Sequence, residues 1–505
     1  MTGDRPNFLF FMPDQLRADA VGAFGSPIAK TPNIDALVAR GTRFTQAFAQ
    51  HSVCSPSRVS MLTGWYPHVS GHRTLTNLIK PWEPNLLAYL RDAGYHVAWL
   101  SRRGDTFAPG VTESSVDEYG WADPPARLGR IAPADFADPA LARAFYRGRR
   151  DADAGSGVTL DDDEATTRSA LQWLADPAAE PWLLFVTLTY PHPPFYVEEP
   201  WYSLHDRSAV PPPRPRPSGP VARYVDAIHE RYGLGRVSDE QWREIAAVYH
   251  GMVSRVDWQL GRVLEALDRS GASERTVVAF FSDHGEYLGD YGLVEKWPSG
   301  LHDCLVREPL VMAGPGIAEG NVADGLVEMV DLLPTVLELA GVQARHTHFG
   351  RSLVPLLGDG TLPHRRAVFS EGGFALGEEP LCEAGGFPYD LKGAIQHEEP
   401  ASVGRVVAMR TEEWTYLYRL YESDELYDRR DDPDELVNRI DDPSLGGVVT
   451  ALREVLLAWM VDTADVIAWD PDPRSPPVED RSFAAWRDRP GRPAPVRPGP
   501  AGRQV

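Results

Sequence analysis

Cys54 stands in the run His51-Ser52-Val53-Cys54-Ser55-Pro56-Ser57-Arg58, and its neighbours give it a use. Pro56 suits a first helical turn because it has no N–H to leave unsatisfied, and Val59, Met61 and Leu62 supply an apolar face before Gly64 ends the run. The spacing predicts a helix with Cys54 at its N-terminus. Partial positive charge gathers there and Arg58 follows one turn on, so an anion bound or formed at position 54 would be stabilised from two directions. Two further groups could do chemistry. Asp14-Gln15 follows an apolar run at residues 7–12, and Ser282-Asp283-His284-Gly285-Glu286 follows another at 276–281. Carboxylate and amide oxygens suit calcium, magnesium or manganese, and an imidazole shifts the balance toward manganese or another transition metal. Each pair alone is ordinary turn chemistry, and a lone cysteine is more often a small buried hydrophobe. The interest lies in two such strand ends that could converge on one cation.

Elements must bring them together. Continuous apolar runs at 7–12, 182–189 and 276–281 read as buried central strands, and 95–100 returns as another. In α/β sheets, ligands bind at the C-terminal edge of such strands. Helices are expected from a Thr31-Pro32-Asn33 cap to Gly41, over 85–92 with Gly94 as stop, over 162–175, and along one long face from Ile245 to Leu267. The alternation predicts an α/β fold: a large, mostly parallel sheet sandwiched by helices. Beyond about residue 400, short runs at 406–410, 414–420 and 425–427 and a helix near 447–461 predict a small α+β C-terminal domain. The expected domains are therefore 1–400, 401–468, and an extended Pro/Arg-rich arm over 469–505. Insertions are expected near 108–160, 196–235 and 370–402, the first of them showing no sustained period.

Cys54-Ser55-Pro56-Ser57-Arg58 closely resembles the signature of the type I sulfatases, in which this cysteine is oxidised after translation to formylglycine, whose hydrated aldehyde is the nucleophile. Those enzymes belong to the alkaline phosphatase-like superfamily. The resemblance implies that fold, one divalent metal ion (calcium or manganese), and metal ligation by Asp14, Cys54, Asp283 and His284. Gln15 stands where many sulfatases carry a second aspartate, and counts as a fifth expected ligand. A glutamine there is familiar from the related bacterial phosphonate monoester hydrolases. Lys296 falls where the family places a lysine on the substrate anion, and His192, between two prolines, where it places a histidine near the leaving group. With Cys54 and Arg58 these make the expected catalytic set. The arylsulfatase Gly-Lys-x-His motif is absent after residue 100, so Thr106 and Asn77 are expected to line the substrate pocket instead.

The resemblance implies a metal-dependent sulfuric ester hydrolase. Gln15, His284 and the missing motif favour a second reading, the same machinery acting on phosphonate monoesters or phosphodiesters. A third, from another class, is a non-catalytic binding protein that keeps the fold. The substrate would be a small sulfate, phosphonate or phosphate ester, and a formylglycine-generating enzyme would be needed for maturation. A net charge of −22 argues against nucleic acid or an anionic membrane as partner. Three cysteines are too few for a disulfide framework, and neither a signal peptide nor an apolar run of about eighteen residues is found. A cytoplasmic homo-oligomer is expected.

Overall fold

The computed structural model describes residues 5–101, 105–125, 132–136, 138–153 and 157–469, with the single positions 474, 482 and 484. Its strands are β1 Asn7–Asp14, β2 Gly41–Phe48, β3 His96–Leu100, β4 Glu118–Tyr119, β5 Tyr146–Arg149, β6 Trp182–Pro191, β7 Phe195–Val197, β8 Thr276–Phe281, β9 Arg307–Ala313, β10 Asn321–Glu328, β11 Val368–Gly372, β12 Val406–Arg410, β13 Trp414–Arg419 and β14 Glu425–Asp428. One eight-stranded sheet runs β10-β2-β9-β8-β1-β6-β3-β4. Only β9 opposes its neighbours β2 and β8; the other adjacent pairs in the sheet are parallel.

The central strand shows why the sheet is a sandwich. Side chains alternate along a strand, and every residue of β1 is buried, so both faces must be covered. Leu9 and Phe11 pack toward the helices Pro32–Ala39, Asp162–Ala175 and Asp239–Ser270. Phe8, Phe10 and Met12 pack toward Cys54–Thr63, Leu86–Asp92 and Leu332–Leu339. Phe10 lies between Phe185 and Ala279 in register. Full burial of each such phenylalanine stabilises by about 2 kcal/mol, which fixes the register against a one-residue slip.

The Pro32–Ala39 helix departs from expectation at both ends. Thr31 makes no side-chain cap; instead the Asp257 carboxylate, from the long helix, accepts from the amides of Asn33 and Ile34 at 2.9 and 2.8 Å. Gly41 is not a helix stop but the first residue of β2. The 108–160 segment, expected as a surface insertion, contributes β4 to the edge of the main sheet and β5 to a parallel pairing with β7, and Phe145 is fully buried. Elements of two and four residues are too short to show a period.

A second sheet, β11-β12-β13-β14, is antiparallel throughout. Its first strand begins before residue 370, ahead of the boundary expected for a C-terminal domain. Both sheets belong to one compact unit, Met1–Val466. The arm expected over 469–505 lies almost wholly outside the described residues. Contrary to expectation, one stretch, Pro443–Asp462, is long and apolar enough to cross a membrane by length and composition. Its Val449, Leu452, Leu456 and Trp459 are buried with Tyr416 and Leu426 of the small sheet, and Arg453 within it binds Asp424 at 2.6 Å.

Candidate active site

Because β8, β1, β6 and β3 are parallel, their C-terminal ends share one edge. Asp14 ends β1, Asp283-His284 follows β8, His192 follows β6 and Asp105-Thr106 follows β3. The Cys54–Thr63 helix is buried along its whole length and closes on Gly64, whose φ of 70° takes the left-handed turn. It presents Cys54 to that edge.

Asp14, Cys54, Asp283 and His284 offer four donor atoms that all lie within 4.8 Å of one another. Cys54 Sγ is 3.4 Å from His284 Nε2 and 3.9 Å from Asp14 Oδ1. His284 Nδ1 faces the Gly285 carbonyl at 3.0 Å, which turns Nε2 toward the cluster. Burial pushes the His284 pKa down to about 4, so the ring is a neutral donor. Burial also pushes the Cys54 thiol up to about 12, and the charges of Lys296 and Arg58 do not offset it. An unmodified Cys54 is therefore a thiol at neutral pH and a poor nucleophile.

Arg58 corrects one expectation. Its guanidinium is not free for an anion at position 54. Nε binds Asp283 Oδ2 at 2.8 Å, Nη1 binds Asp105 Oδ1 at 2.8 Å, and Nη2 binds Asp14 Oδ2 at 2.6 Å. Arginine orients two carboxylates of the cluster, and Ser57 Oγ helps by donating to the Asp283 carbonyl at 2.6 Å.

Gln15 also stands differently from its expected place among the ligands. Its φ is 67°, its amide donates to Asp283 Oδ1 at 3.1 Å, and its Oε1 accepts from Lys296 Nζ at 2.6 Å, while Nε2 donates to Glu286. The side chain bridges Lys296 and Glu286. Burial, followed by the charge of Glu295, pushes Glu286 up to about 7. Lys296 further binds Glu295 Oε1 at 2.7 Å and lies 3.0 Å from His192 Nε2. The expected anion-binding lysine and the expected leaving-group histidine are thus in contact, and the other ring nitrogen of His192 is fixed on the Pro193 carbonyl at 2.7 Å.

The two residues expected to line the pocket divide. Thr106 is fully buried, adjoins Asp105, and its Oγ1 has no hydrogen-bond partner among the described residues. Asn77 Nδ2 donates to the carbonyl of Gly71 at 2.7 Å, a contact that ties the 71–77 turn. Sequence reasoning missed Asp105, Glu295 and Lys392. Asp105 carried a signal, since it follows a parallel strand as Asp14 and Asp283 do. Lys392, bound to Glu295 Oε2 at 2.9 Å, carried none.

Known proteins give the arrangement a context. The sulfatase family profile matches residues 6–342. The multifunctional alkaline phosphatase superfamily protein PehA of Trinickia caryophylli is 27% identical over 91% of this chain and 96% of its own length. A sulfatase of Formosa agariphila is 29% identical over 70% of this chain and 73% of its own. The crystal structure of the phosphonate monoester hydrolase of Agrobacterium radiobacter is similar in fold, with a TM-score of 0.73 at 24% identity over 92% of this chain and all of that one. With the family profile spanning most of the chain, including every residue of the four-donor cluster, this protein belongs to the sulfatase family.

Proposed function

We propose that this chain hydrolyses sulfate monoesters with a formylglycine made from Cys54 by a separate maturation enzyme, and with one divalent cation, calcium or manganese. The observation that carries this reading is the convergence of Asp14, Cys54, Asp283 and His284 within 4.8 Å. Two carboxylates, a neutral imidazole and the residue-54 side chain, all buried, make a donor set that fits such a cation. Asp14, Asp283, His284 and residue 54 would hold it. Gln15 would join only if its Oε1 left Lys296. The cation would supply the charge that ionises a nucleophile at neutral pH, and formylglycine the hydrated oxygen that a thiol pushed up to about 12 does not offer.

The remaining work belongs to the chain's own side chains. Arg58 fixes the rotamers of Asp14 and Asp283. Lys296 Nζ, held between Gln15 and His192, is the ammonium that orients the ester's anionic oxygens. His192 Nδ1 donates to Pro193, so Nε2 is the ring nitrogen that faces Lys296, and once protonated it is the atom placed to give a proton to the departing alcohol while Lys296 keeps its charge.

Gln15 supports a second reading, phosphonate monoester or phosphodiester hydrolysis, because a neutral amide there lowers the negative charge beside the metal. Sulfate monoesters and phosphodiesters both carry one negative charge on a tetrahedral centre, so one pocket can take both. The test is a rate comparison of an aryl sulfate, an aryl phosphonate monoester and an aryl phosphodiester, with C54A as control and the Cys54 peptide mass measured. The sulfate should be turned over fastest and C54A should be inactive. Preference for the phosphorus esters moves the chain to the second reading, and no turnover by protein carrying formylglycine rejects both.

A further inference from the structure

The line of contacts that begins at Gln15 does not end at Lys296. Lys296 binds Glu295 Oε1 at 2.7 Å, and the other oxygen of that carboxylate binds Lys392 Nζ at 2.9 Å. Lys392 also meets Glu383 Oε2 at 3.2 Å. Lys392 is 4% exposed and Glu295 2%, so the charges meet away from bulk water. Lys392 is third in the helix Asp390–Glu398, in a first turn where the helix dipole disfavours a cation, and it lies beyond the residues 6–342 that the family profile matches. Its carboxylate partners hold it there. Glu295 is equally constrained: its φ is 64°, and its amide donates to Glu286 Oε1 at 2.5 Å, which aims its carboxylate between the two lysines.

We propose that Lys392 is a positioning residue for the anion site: by sharing Glu295 it leaves the charge of Lys296 available to the transferring sulfuryl or phosphoryl group. This rests on the hydrolase reading above. The cluster now sets two carboxylates, Glu295 and Glu383, against two ammoniums. Without Lys392 the same two carboxylates face only one. Glu295 then captures Lys296 as its single partner, and the net negative charge repels an incoming anion. Burial alone would neutralise these groups, but their mutual attraction keeps the Glu295 carboxyl below and the Lys392 ammonium above their ordinary ranges. The arrangement is therefore charged at neutral pH.

The experiment is calorimetric titration of inorganic sulfate and of inorganic phosphate into the metal-loaded protein, beside steady-state kinetics on the best aryl ester. K392M should weaken anion binding and raise KM by about tenfold, the scale of one lost charge-assisted contact, with kcat changed less than about threefold. K392R should restore both. K392M/E295Q should recover most of the loss, because the carboxylate that captures Lys296 is gone. Anion affinity unchanged in folded K392M overturns the proposal, as does a double variant no better than the single. If K392M does not fold, E295Q decides, since it keeps both lysines: tighter anion binding supports the proposal and weaker binding overturns it. Wild-type protein that binds the anions but turns over no ester defeats the hydrolase reading alone; protein that binds neither anion defeats both.

Discussion

Three carboxylates, Asp14, Asp105 and Asp283, share one guanidinium at the floor of the site. Arg58 is only 1% exposed and each of its three contacts comes from a different nitrogen, which a lysine's single ammonium cannot reproduce. R58K should therefore lower metal affinity and kcat/KM by about 10–100-fold, the usual scale for partners that orient metal ligands. R58A should in addition cost about 3–5 kcal/mol of stability, because it removes the buried positive charge that the Asp14 and Asp283 carboxylates face. Metal titration followed by calorimetric unfolding of the same samples checks both. Metal affinity unchanged in R58K would mean that Asp14 and Asp283 are held by the backbone alone.

Among the elements, the Pro32–Ala39 helix shows a cap supplied from a distance. Asp257, on the helix Asp239–Ser270, accepts two backbone amides and the side-chain amide of Asn33, at 2.9, 2.8 and 2.7 Å. Burial nevertheless outweighs these bonds and pushes the carboxyl up to about 6. A carboxyl whose folded pKa lies above its unfolded value contributes fully below the unfolded pKa and loses that contribution as pH rises through the folded one. D257N, which keeps an acceptor oxygen without the charge, should thus gain on the wild type by up to about 3 kcal/mol between pH 4 and pH 7. Urea unfolding at both pH values measures the gain, and no change in the difference would show that the amides hold the carboxylate at its ordinary pKa. D257A should cost about 1–2 kcal/mol as a lost cap. This contact also marks what sequence can carry. The apolar runs of β1, β6 and β8, and the Cys54 helix with its glycine stop, are local patterns and were legible. So were the positions of Asp14, Asp283 and His284 at strand ends and of Cys54 at the start of its helix, while their grouping as one ligand set came from the family resemblance. Asp257 lies 224 residues from Asn33, and Lys392 lies 97 from Glu295, so neither pairing leaves a local mark.

At the scale of the molecule, the small sheet and the Pro400–Val403 turn ahead of β12 hold both chain segments that lead to the site. Ser370 Oγ of β11 donates to the Ala49 carbonyl at 2.6 Å, and the Glu371 amide donates to the Gln50 carbonyl at 2.8 Å, just ahead of His51 and Cys54. Just beyond Lys296, the Trp297 indole donates to the Ser402 carbonyl at 3.0 Å, and Arg419 of β13 donates to the Ser299 carbonyl at 3.0 Å. The pattern of elements changes near residue 400 and suggested a boundary there, yet the chain's contacts place Met1–Val466 in one compact unit. The change records a switch from parallel to antiparallel pairing, not an end of packing. A chain ending at residue 400 keeps β11 but loses its partner β12, the Ser402 and Arg419 anchors, and the buried Met409, Tyr416 and Leu426. Each large apolar side chain removed from that core forfeits about 2 kcal/mol, and typical domains have only about 5–15 kcal/mol to lose. The 1–400 chain should therefore show no cooperative thermal transition and no near-ultraviolet dichroism, whereas the 1–466 chain should unfold in one transition. A 1–400 chain that melts cooperatively would mean that the eight-stranded sheet can set the Cys54 and Lys296 segments by itself, and that the small sheet refines the site without creating it.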